Sequence, residues 1–287
     1  MSAEAMSPAV HRAGPLRRLV ANRVSWFALA VIAVLVFVGL FLPALMGNPN
    51  FNSISRSILQ PPSAEYWLGT DELGRSVLVQ MVYGVRTSLV VGLLAAFSAT
   101  LLGITIGALS GFVGGRTDAL LMRVTEMFQV MPTFILASIV VAFAGPSMFN
   151  IIVVIAALAW PQAARLMRGE VLKIKSMDFA DAARCLGLSE TRILVREIIP
   201  NAIAPVITVG TLVIGQAILL EAALAFFGLT SADVPSWGRL LTSGQRYFYN
   251  AWWLSLFPGL AILFTVLAFN LLGDAINAAL NPRTEDR

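Results

Sequence analysis

The chain of 287 residues contains a single histidine, His11, and a single cysteine, Cys185. With that inventory no zinc cluster, thiol pair, disulfide framework or histidine-based triad can be assembled within one chain. Charge is scarce as well: 13% of the residues are Asp, Glu, Lys or Arg, against about 25% in soluble domains. This scarcity excludes a disordered polyelectrolyte and an ordinary soluble enzyme. A net charge of +4 and a pI near 9.7 do not make a nucleic-acid binder, because the basic residues occupy short gaps between apolar runs instead of lining one solvated face. No nucleic acid is expected as a partner. What the chain has in abundance is apolar, with 57% of residues in the hydrophobic set and a mean hydropathy of +0.79.

The useful unit is therefore the membrane span. Crossing about 30 Å of hydrocarbon takes roughly 20 apolar residues at about 1.5 Å each. Six runs qualify, at 26–45, 88–112, 119–143, 149–164, 202–227 and 253–272. The first follows a tail, 1–24, that carries Arg12, Arg17, Arg18 and Arg23 and looks superficially like a secretory leader. It reads as a retained span at 25–45, because it exceeds the roughly 7–15 residues of a leader core and no small-x-small cleavage site follows.

An even number of spans puts both termini on one side. All but five of the 20 Lys and Arg (Arg56, Arg75, Arg86, Arg239 and Arg246) fall on that side, so the termini, including the short tail 281–287, are expected to be cytoplasmic. Two outer loops, 46–87 and 228–252, are too long for simple turns. The second ends in Tyr247, Phe248, Tyr249, Trp252 and Trp253, read as an interfacial aromatic belt first and a partner surface second. Within the five-span core, 88–280, the cytoplasmic loop 165–200 is the least membrane-like segment. Phe179, Ala182, Ala183 and Leu186 repeat at i, i+3, i+4 and i+7, while Asp178, Asp181 and Arg184 lie off that stripe, which predicts a short amphipathic helix. Gly187 is placed to stop it, Ser189 to cap a second helical stretch, and Pro200 to open the fifth span. An amphipathic helix can simply rest on lipid. Two alanines on its face favour close approach of another backbone over lipid burial.

Asp181-Ala182-Ala183, three residues, Gly187 and then Ile198-Ile199-Pro200 resemble the EAA loop of binding-protein-dependent ABC importer permeases, with Asp in place of the usual Glu. The likeness extends through Leu68-Gly69-Thr70-Asp71-Glu72-Leu73-Gly74-Arg75, Gly84-Val85-Arg86-Thr87-Ser88-Leu89, Leu220-Glu221-Ala222-Ala223-Leu224, Phe227-Gly228-Leu229 and Pro235-Ser236-Trp237-Gly238. It closes with Phe257-Pro258-Gly259-Leu260-Ala261, Phe269-Asn270-Leu271-Leu272-Gly273-Asp274 and Asn281-Pro282-Arg283. As a set these are similar to the second permease subunit of dipeptide, oligopeptide and nickel importers. Ser76, Trp67 and Asn281 depart from that pattern, which usually has Asp, His and Asp there.

The resemblance implies an all-α integral membrane protein of the type I ABC importer permease fold in a bacterial plasma (inner) membrane. It implies as partners a second permease subunit in a heterodimer, two ATPase subunits, an extracytoplasmic solute-binding protein and the membrane lipid around the spans. ATP and Mg would belong to the ATPases; the chain has no G-x-x-x-x-G-K-[ST] loop and is expected to bind no cofactor and no metal and to have no catalytic residues of its own. Coupling to an ATPase would fall to Phe179, Asp181, Ala182, Ala183, Leu186, Gly187, Ile198, Ile199 and Pro200. Peptide is the leading solute, with nickel, a metal chelate or an oligosaccharide as alternatives; no solute-contacting residue is assigned. A secondary transporter working without ATP is the rival class, disfavoured by the lack of an internal repeat of spans.

Polar residues within the spans complete the reading. Glu126 is expected to pair locally with Arg123, Glu221 to make a salt bridge or cap to an outer loop in preference to a solute contact, and Asp274 to pair with inner basic residues. Gly103, Gly107 and Gly111 form a smooth stripe for close helix packing. Pro132 and Pro146 are expected to kink or end the third span.

Overall fold

A computed structural model describes residues 23–231 and 233–280. The tails at 1–22 and 281–287, with His11 and the expected cytoplasmic termini, lie outside them. The regular elements among the described residues are all helices, with one isolated bridge between Thr70 and Ser76. In chain order the helices are α1 (Arg23–Leu45), α2 (Val77–Val113), α3 (Gly115–Val130), α4 (Thr133–Ala144), α5 (Met148–Lys175), α6 (Asp178–Cys185) and α7 (Glu190–Ile193). A π turn, Leu194–Ile198, joins α7 to α8 (Ile199–Phe226), followed by α9 (Trp237–Arg246) and α10 (Trp253–Leu280).

Five stretches are long and apolar enough to cross a membrane, and α3 with α4, a pair bent by 89°, makes a sixth if the two count as one broken span. The third span was expected at 119–143 with a kink or end at Pro132, and the chain folds sharply at Met131-Pro132. Met131 is extended, with φ −72° and ψ 133°, as a residue before proline must be. Pro132 then offers no N–H, so the two helices share no continuous ladder.

Helix ends also differ from the hydropathy reading. α2 begins at Val77, not 88, because Gln80 and Arg86 interrupt the apolar run without interrupting the helix. α5 continues to Lys175, so residues 165–175 of the expected loop belong to the fourth span's own helix.

The most extensive helix pair is α2 with α5. A Cβ at Gly103 would collide with the Cβ of Ala163, one at Gly107 with the carbonyl oxygen of Ala164, and one at Gly111 would lie 2.9 Å from the carbonyl oxygen of Arg168. The glycine stripe is therefore the seam along which α5 sits on α2, close enough that only hydrogen fits. Asp118 fastens the inner end of this seam to α3, accepting two hydrogen bonds from Arg168 at 2.5 and 2.6 Å and one from Ser110. Lys175 reaches back to the carbonyl oxygen of Phe112 at the end of α2, where a cation suits the unsatisfied carbonyls.

On the outer side, residues 46–76 wrap around a fully buried carboxylate. Asp71 accepts hydrogen bonds from the backbone N–H groups of Leu73 and Arg75, from Arg75 Nε at 2.6 Å and from Gln80 Nε2 at 2.8 Å. Burial of this charge is tolerable because so many donors meet it. The neighbouring Thr70 carbonyl accepts from the indole of Trp253 at 3.1 Å. Trp253 thus departs from the expected aromatic belt: it is buried among Val77, Ala251 and Leu254, while Phe248, Tyr249 and Trp252 stay exposed.

Candidate functional site

The segment read as the ATPase-coupling site stands at the inner end. α6 covers Asp178–Cys185 and stops in a full Schellman turn, with the N–H of Gly187 donating to the Arg184 carbonyl and the N–H of Leu188 to that of Ala183. Gly187 has φ +78°, a conformation that costs an L side chain about 1–2 kcal/mol. Ser189 takes the cap position of α7, although its hydroxyl caps nothing.

The expected apolar stripe divides in two. Ala183 turns inward onto the cluster that holds Met167, Val171, Ile193, Ile198 and Val206, and Ala180 is buried as well. Phe179, Ala182 and Leu186 face outward, and Leu186 is 81% exposed. A helix of about two turns cannot present a stripe of about 100° to two surfaces without splitting it. Ala183 and Ile198 therefore anchor the segment, and the face open to another molecule is Phe179, Ala182 and Leu186, with Asp181 at its edge. Arg184 bonds Asp181 at 2.6 Å and Glu190 at 3.1 Å, tying α6 to α7; these two bonds, Asp181's foremost, push its guanidinium above the ordinary value.

Behind α6 the backbone runs on without interruption. Ile199 donates to Leu194 five residues back, and this wider turn accommodates Pro200, whose missing N–H would otherwise break the ladder. Ile199 is half-buried and Pro200 is exposed. The expected break between a surface helix and the fifth span is thus a π turn inside one continuous helical stretch, 190–226.

Within the membrane, α3, α4, α5 and α8 enclose an open cavity of about 780 Å³. Its wall combines Phe128, Phe134 and other apolar groups with Gln129, Thr133, Gln162 and Gln216, and Arg165 stands one helical turn inward of Gln162. The bend at Pro132 creates this space by swinging α4 away from the line of α3. The glutamines carry no charge, and weighing only the acids of the spans passed them over.

The acids take other places. Arg123 and Glu126 form the expected local pair at 3.3 Å, exposed on both sides. Glu221 is buried and accepts a hydrogen bond from Ser88 at 3.4 Å, with Ser236 as a second hydroxyl partner. Hydroxyls replace the salt bridge, and Ser236, which caps α9 through the N–H of Arg239, provides the link to the outer loop. Asp274 makes no ion pair among the described residues.

Residues 103–286 match the family described as binding-protein-dependent transport system inner membrane component. The dipeptide transport system permease protein of Alkalihalophilus pseudofirmus is 37% identical over 268 residues, covering 93% of this chain and 88% of that one. The di/tripeptide transport system permease protein of Pseudomonas aeruginosa is 36% identical over 272 residues, 92% and 90% of the two chains. The glutathione transport system permease protein of Pectobacterium atrosepticum is 34% identical over 269 residues, 93% and 88%. Among solved structures, inward-facing MetNI methionine ABC transporter aligns with a TM-score of 0.59 at 18% identity, over 70% of this chain and 96% of the matched one, a likeness of fold. With that fold, those relatives and a family match over most of its length, the chain belongs to the inner membrane components of binding-protein-dependent transport systems, multi-pass permeases that are not themselves catalytic.

Proposed function

We propose that the chain is one of two permease subunits of an ATP-driven importer of di- and oligopeptides. It forms half of the passage through the cavity between α3, α4, α5 and α8, and it seats on an ATPase subunit through Phe179, Ala182 and Leu186. The observation that carries the coupling role is an apolar face left open on a helix whose other face is locked into the core. A helix held on one side moves with the body it is attached to, so a push on α6 passes to α8 through the π turn. ATP and Mg act on the partner ATPases, a solute-binding protein delivers from outside, and the second permease subunit completes the wall. Peptide as the solute is supported by relatives named for dipeptide and di/tripeptide transport across more than nine-tenths of the chain.

The test is uptake of a labelled tripeptide by the complete complex in proteoliposomes. Accumulation that requires both ATP and the binding protein supports the reading. Transport by the isolated chain without ATP refutes it in favour of a secondary transporter, and a deletion strain that grows unchanged on di- and tripeptides removes peptide as the solute.

A further inference from the structure

Three side-chain amides, Gln129 of α3, Gln162 of α5 and Gln216 of α8, reach the same membrane cavity from three different helices. At about 1.5 Å per residue Gln216 lies some 15 Å from the outer end of α8, and Gln162 some 21 Å from the outer end of α5, so both are deep in the bilayer. Gln162 and Gln216 are exposed and Gln129 is half-buried. Among the described residues none of the three amides has a hydrogen-bond partner in the chain. An unpartnered amide in a hydrocarbon layer costs several kcal/mol, so these groups are built to meet something polar that enters the cavity.

The chemistry of the wall says what that is. A carboxamide offers a donor and an acceptor side by side, the same pair that a peptide unit presents in reverse. Arg165, at the inner rim, is the single charged residue of the wall. Neutral amides hold a main chain weakly whatever its side chains are, and a passage needs binding loose enough for release. A charged wall would trap peptides of one sign.

We propose that Gln129, Gln162 and Gln216 form a transit site that hydrogen-bonds the amide backbone of the solute midway through the membrane. The proposal rests on the peptide reading given above. It is tested with the complete complex in proteoliposomes, a labelled tri-alanine peptide and saturating loaded binding protein. Gln162→Leu and Gln216→Leu are expected to lower uptake about tenfold each, the effect of losing one desolvated hydrogen bond. ATP hydrolysis and recovery of the partner chains stay as in the wild type, and Gln216→Asn restores part of the uptake. Wild-type uptake per ATP in the triple leucine variant overturns the transit site alone. Loss of the second permease subunit from the purified variants also overturns it, assigning the amides to the subunit interface. A wild-type complex that moves no tri-alanine at all overturns the peptide reading and this site with it.

Discussion

Leu186 offers the most direct test of how the inner face works. It projects from the end of α6 at 81% exposure and contributes almost nothing to the core. Fully burying a leucine side chain stabilises by about 1.5–3 kcal/mol, so covering the exposed four-fifths is worth roughly 1–2.5 kcal/mol to whatever docks there. Leu186→Ala should therefore weaken ATPase association about 5- to 50-fold, and Leu186→Asp by more, while the melting temperature of the permease pair stays put. Ile193, fully buried in α7, provides the contrast. Ile193→Ala should cost about 2–5 kcal/mol of stability through the cavity it leaves. The assay is titration of the purified ATPase onto the solubilised permease pair, read alongside thermal unfolding. Unchanged association in both Leu186 variants would refute the docking face, whatever Ile193→Ala does.

Gly187→Pro should abolish transport with the protein still in the membrane, since proline can neither take φ +78° nor donate the bond to Arg184; normal uptake removes the role of the turn. Asp71→Ala strips the acceptor from Arg75, Gln80 and two backbone N–H groups, and by the usual cost of breaking a buried charge pair should destabilise the outer region by about 3–5 kcal/mol. Proteolysis within residues 46–76, faster than in the wild type, checks it. Gly107→Leu drives a side chain into the backbone of α5 and should lower the melting temperature more than Leu186→Ala does, an order reversed if the seam is loose.

Hydropathy located the five spanning helices and the bent α3–α4 pair because apolar length is a property of the local chain. It misplaced the start of α2, where Gln80 and Arg86 depress the local average although the helix continues and Gln80 is held by Asp71 from the loop before it. The helix at 178–185 and its stop at Gly187 were legible from period and residue type. Which of its apolar residues faced inward was not, because Ala183 is selected by the buried cluster it joins, with Met167, Ile193, Ile198 and Val206, not by anything in the stripe itself. Trp253 reads as an interfacial ring until Thr70 arrives from a distant loop to accept its N–H. The glutamines of the cavity escaped for a different reason: each is isolated in its own span, and only the tertiary arrangement makes them neighbours.

The unbroken helical stretch at 190–226 has a geometric consequence. Its 37 residues make a strut about 55 Å long, with Gln216 about 39 Å from Glu190. Pivoted near its cytoplasmic tip, a swing of only about 5° would carry that amide sideways by some 3 Å, roughly the length of one hydrogen bond. On the proposed coupling and transit site, motion at the tip and the grip on a passing solute would be geared together by one stretch of backbone, with the π turn and Pro205 as the two places where it could flex.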